Sequence, residues 1–71
     1  MRLSTRNQFK GTVQSITTGE AMAVVTLLLD GTDLVVTSAI TRSSVEDLGL
    51  RVGSTAYALV KSTAVQIGVD G

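Results

Sequence analysis

The sequence predicts an all-β fold of five short strands with one helix between the third and the fourth. Runs rich in Val, Ile, Leu and Thr alternate with glycine-containing turns, an Asp30-Gly31 pair stands between two of them, and one helix-capping pattern follows the third. The polar stretch from Met1 to Asn7 leads into a first run, Gln8 to Thr17, in which Phe9, Gly11 and Val13 share one parity, as in a strand. Thr17-Thr18-Gly19-Glu20 then supplies a turn. The second run, Ala21 to Asp30, is apolar on both parities, so both faces of that strand should be covered. A small sheet folded on itself has one interior, and the second face is expected to meet another subunit.

Asp30-Gly31-Thr32-Asp33 separates this strand from Leu34 to Thr41 and predicts a hairpin. Beyond it, Ser43 lies three residues before Glu46, a capping-box spacing, and Gly49 is placed to end the helix in a left-handed conformation. After a turn at Gly53 come two more strands, Thr55 to Lys61 and Val65 to Val69, broken at Ser62-Thr63. This order is that of a five-stranded, OB-like Greek-key barrel. Its open edges favour strand exchange or subunit packing.

Composition excludes several functions. With no His and no Cys, the usual bases, thiol nucleophiles and transition-metal ligands are missing, and a direct metal-cation site is not expected. Six basic residues balance six acidic ones, which argues against non-specific nucleic-acid binding, and two aromatics offer no base-stacking surface. No apolar run approaches the length of a membrane span or signal-peptide core, so the expectation is a cytoplasmic protein without membrane contact. At this length one domain, residues 1–71, is expected. Area scaling leaves roughly 4,200 Å² exposed in a compact monomer and about 60% of the unfolded surface buried, a marginal proportion that association would improve.

Hydroxyl side chains are abundant, and several cluster beside a cation: Ser4-Thr5-Arg6-Asn7, Thr41-Arg42-Ser43-Ser44 and Lys61-Ser62-Thr63. Each cluster sits at the end of a predicted element. Hydroxyls, backbone N–H groups and one or two cations are convergent donors that suit a compact oxyanion. A plainer reading is open for each: Ser43 and Ser44 as caps, Lys61 as a solvated charge, Arg6 as a surface ion-pair partner. The carboxylates lie in turns or on the helix surface, without the apolar setting that acid catalysis needs, and no phosphate-binding glycine loop occurs.

Three segments carry a family resemblance. Ser4-Thr5-Arg6-Asn7-Gln8-Phe9-Lys10-Gly11 resembles the S-x-R-N-x-L/F-x-G start of the molbindins, small molybdate-binding proteins also found as TOBE domains in molybdate transporters and regulators. Ile40 to Leu50 is similar to their I-T-x-x-S-V-x-x-L-x-L segment, and Ala58 to Val65 to their A-x-V/I-K-S/A-S/T-x-V. All three occur in order across essentially the whole chain, and they are the three hydroxyl-plus-cation clusters.

The resemblance implies a non-enzymatic binder of molybdate or tungstate that serves molybdenum storage and homeostasis. It also implies a homohexamer, a trimer of dimers, with sites between subunits and no cofactor. It places Ser4, Arg6 and the backbone at Asn7 at the oxyanion, completed by Thr41, Ser44, Lys61 and Ser62, with Arg6 and Lys61 neutralising its charge. A second site near the threefold axis would involve Gly19 and Ser43. Thr5 stands where the family often has Ala or Gly, which narrows the pocket or adds a donor. The alternatives are a structural or regulatory OB-type oligomer without ligand and an OB-type nucleic-acid binder.

Overall fold

A computed structural model describes residues 5–71. The chain runs β1 (Asn7–Thr18), β2 (Met22–Leu29), β3 (Val35–Thr41), α1 (Arg42–Leu48), β4 (Thr55–Val60) and a 3-10 turn, Ser62–Ala64. The strands form one antiparallel sheet in the order β3-β2-β1-β4. It is a mostly β, OB-like curled sheet with one short helix, as the sequence predicts, but it has four strands where five were expected.

β1 is the central strand and has to bend, because one end pairs with β4 and the whole length from Gly11 onward pairs with β2. The bend is built from one extra residue: Val13 opposes Leu27 and Ser15 opposes Thr26, leaving Gln14 without a counterpart on β2. That bulge switches parity, so Gly11 and Val13 face inward before it and Ile16 packs against the core after it. At Gly11 the sheet curls so tightly that a Cβ would lie 2.6 Å from the Leu28 carbonyl oxygen.

The alternation of β2 sends Ala23, Val25 and Leu27 inward, where they join Val13 and Val45 of α1 in the buried core. Its other face, with Met22 and Val24, stays exposed within the chain. The Asp30-Gly31 hairpin forms as expected. Gly31 takes φ 71°, and the loop closes through Leu29 N–H donating to the Leu34 carbonyl at 2.9 Å.

The helix starts earlier than the Ser43–Glu46 spacing predicts. Thr41 is the N-cap, its Oγ1 accepting from the Ser44 N–H at 3.1 Å, because β3 ends there in the extended, non-helical conformation that an N-cap takes. Glu46 pairs instead with Arg42 one turn back, an exposed contact at 3.5 Å that adds little. Gly49 ends the helix at φ 64°; its N–H reaches the Glu46 carbonyl and that of Leu50 reaches Val45, the Schellman pattern.

The fifth strand, Val65 to Val69, does not form. The segment pairs with no strand among the described residues, and Ile67 and Val69 are 87% and 89% exposed. Alternating apolar residues are a demand for a partner edge, and the turn at Ser62–Ala64 carries the segment away from its own sheet. The free edges of β3 and β4 accordingly flank an apolar groove of about 530 Å³, lined by Val36, Ile40, Leu48, Leu50, Ala56 and Ala58 among others. The chain exposes 5599 Å², roughly a third more than a compact monomer of its mass should.

Gly11→Ala is expected to cost about 1 to 3 kcal/mol, since the methyl group meets a backbone carbonyl that cannot retreat without breaking the β1–β2 ladder. Denaturant unfolding at fixed protein concentration measures it, and wild-type stability in this variant would contradict the close approach.

Candidate functional site

Antiparallel pairing of β1 with β4 sets Asn7 opposite Val60. The residues just before β1 and just after β4 therefore become neighbours, although they are more than 50 positions apart. Asn7 locks the junction, its Nδ2 donating to the Val60 carbonyl at 3.1 Å. Its side chain thus ties the two walls together and leaves the cleft to others.

That cleft, about 290 Å³, is lined by Thr5, Arg6, Lys61, Ser62 and Thr63. It contains two cations, three hydroxyls and no carboxylate. Neither Arg6 nor Lys61 forms an ion pair among the described residues, where the Arg42–Glu46 contact is the one present. Both side chains are exposed and keep their donors available. Such a set can accept a small anion, because every group in it can donate and none need repel.

Of the sequence-predicted set, Arg6, Lys61 and Ser62 line the cleft and Asn7 stands beside it at the β1–β4 junction, while Ser4 lies outside the described residues. Thr5 and Thr63 line the cleft but were not among the predicted ligands. The signal was present, since both belong to the clusters that drew attention to Arg6 and Lys61.

Thr41 and Ser44 do not join them. They sit where β3 ends, opposite Met22 and beside the Thr18 end of β1, whereas the cleft is at the Asn7 end. Eleven residue steps of β1 separate those ends, up to roughly 36 Å along an extended strand. In one chain the two groups cannot touch one small ion. Thr41 Oγ1 instead lies 2.7 Å from Ser44 Oγ and 3.3 Å from Ser43 Oγ, a hydroxyl cluster closed on the helix start.

Gly19 and Ser43, by contrast, are brought to one region. Arg42, between Thr41 and Ser43, donates from Nη1 to the Gly19 carbonyl at 3.3 Å and from its backbone N–H to Ala21 at 2.9 Å. The larger groove between β3 and β4 is mostly aliphatic, and an anion placed there would lose its hydration without compensating donors. Among the described residues no group of three His, Cys, Asp or Glu side chains could hold a metal ion, and no helix is long and apolar enough to cross a membrane.

The TOBE domain family matches residues 3–67. A probable molybdenum-pterin-binding protein of Haemophilus influenzae is 41% identical over 70 residues, spanning 99% of this chain and 100% of that protein. The solved structure of a molybdate-binding protein from Sporomusa ovata superposes with a TM-score of 0.88 at 38% identity, covering 97% of this chain and all of that one. The cytoplasmic molybdate-binding protein ModG, solved with molybdate bound, gives a TM-score of 0.91 at 44% identity; this chain spans 99% of its own length and 49% of ModG.

Because Thr41 Oγ1 satisfies an otherwise orphan N–H of α1, Thr41→Ala should cost about 1 kcal/mol of stability and Thr41→Ser should restore most of it. Equal unfolding midpoints for wild type and Thr41→Ala would show that the cap contributes nothing.

Proposed function

The chain belongs to the TOBE domain family, and on that premise we propose that it binds molybdate as a molbindin does, holding the oxyanion in the cleft between Arg6 and Lys61. The observation that carries this reading is the convergence of two cations and three hydroxyls, with no carboxylate among them, at the β1–β4 junction. Arg6 and Lys61 offset the two negative charges of the ion. Ser62, together with Ser4 and the backbone near Asn7, supplies further donors. Tungstate has the same shape and charge and is taken by the same donors.

The role is binding and release, serving molybdenum storage and homeostasis in the cytoplasm, with no chemical step and no cofactor. Residues 1–71 act as a single molbindin-type domain. Thr41 and Ser44 complete the site from a neighbouring subunit, since the length of β1 keeps them from the cleft of their own chain. A homohexamer arranged as a trimer of dimers provides such neighbours. Association is supported by the excess exposed surface, the unpaired edges of β3 and β4, the unpaired segment Val65 to Val69 and the exposed Met22 and Val24 on the outer face of β2. Gly19 and Ser43, tied together through Arg42, form the second oxyanion site. A nucleic-acid role is not supported, because six basic residues are balanced by six acidic ones and two aromatics offer no base-stacking surface.

Calorimetric titration of anion-stripped protein with molybdate in a large excess of sulfate, with native mass spectrometry in parallel, tests this reading. Micromolar or tighter binding to a hexamer is expected. A hexamer that takes up no molybdate would leave a structural or regulatory oligomer. Lys61→Ala should weaken binding by about 1.5 to 3 kcal/mol, the range for a hydrogen bond to a charged group, and unchanged affinity would remove Lys61 from the site.

A further inference from the structure

We propose that Thr5 is the specificity-determining residue of the anion cleft, the donor that distinguishes a larger tetrahedral dianion from a smaller one; this rests on the reading of the cleft as an oxyanion site. Molybdate and sulfate share shape and charge, so the type of donor cannot separate them. Only spacing can. A donor measures spacing only if it holds its place when a smaller ion leaves a gap.

Most of the cleft fails that requirement. Arg6 and Lys61 reach it on long, exposed, rotatable stems that can follow an ion of either size. Ser62 and Thr63 are also exposed. Among the five lining residues, Thr5 alone is half-buried. Its side chain is β-branched and therefore restricted about χ1. Its backbone is held from the strand side, where Gln8 Nε2 donates to the Thr5 carbonyl at 2.7 Å.

The opposite wall is fixed as well. Asn7 Nδ2 grips the Val60 carbonyl, and the turn beyond it is closed by Ala64 N–H donating to the Lys61 carbonyl at 2.9 Å. The backbones of the two walls are thus held while the Arg6 and Lys61 side chains move between them. A larger anion held by those side chains also reaches the Thr5 hydroxyl, whereas they close on a smaller one and leave Thr5 without a contact.

The test titrates molybdate and sulfate separately into wild type, Thr5→Val and Thr5→Ser, with assembly followed by native mass spectrometry. Thr5→Val keeps the shape and removes the hydroxyl; molybdate Kd should rise roughly tenfold or more, with sulfate Kd unchanged within about twofold. Thr5→Ser keeps the hydroxyl but frees the rotamer, so sulfate should tighten while molybdate holds. In both variants the ratio of the two Kd values falls. If Thr5→Val fails to assemble, Thr5→Ser decides alone. A ratio equal to wild type in the variants that assemble, whether through equal losses or none, overturns the role of Thr5 and leaves the oxyanion reading standing. Wild type that binds neither anion overturns that reading itself and the role of Thr5 with it.

Discussion

β1 is hydrogen-bonded on both sides, to β4 over its first half and to β2 over its second, and every other feature takes its position from that strand. Its Asn7 end fixes where the Arg6 and Lys61 clusters meet. Its Thr18 end fixes where β2 begins and hence, through Met22 opposite Thr41, where α1 starts. Between the ends, the bulge at Gln14 and the missing side chain at Gly11 let the strand curl without leaving either ladder. A straight β1 would keep both pairings and lose the interior.

The interior that results is small. Five buried residues, none larger than Leu27, make up its centre, and Ile16, Ile40, Leu50, Ala56 and Ala58 are only half covered around it. A core of this size is marginal on its own, and the exposed apolar edge and tail give the chain more to gain from association than from further internal packing. In an assembly whose anion sites draw on two chains, ligand binding and subunit binding share one free energy, and each favours the other by mass action.

Much of this was legible in the sequence because it depends on neighbours in the chain. The Asp30-Gly31 hairpin, the Gly19 turn and the Gly49 helix stop are local properties, whereas β2 is apolar on both parities and only its packing decides that Ala23, Val25 and Leu27 face inward. What was misread depends on distant partners. Ser43 and Glu46 have a capping spacing, but the end of β3 put Thr41 in the cap first. Val65, Ile67 and Val69 alternate as a strand does, yet alternation does not supply an edge to pair with. The parity switch at Gln14 leaves no trace in composition. For the site, the clusters were visible as clusters; which would meet was not, because that follows from the β1–β4 register, and it divided the expected ligand set between two ends of one strand.

That division sets a rule of valence. Each chain carries one cleft bearing Arg6 and Lys61 and one hydroxyl cluster at Thr41 and Ser44, held apart by β1, so it offers one of each and cannot bring its own two together. In any assembly where clefts are completed by clusters, an open-ended array always leaves one of each unmatched at its limits, and only a closed one uses them all. In such a closed assembly the number of finished clefts equals the number of chains, and an incomplete one has a reason to keep growing until it shuts.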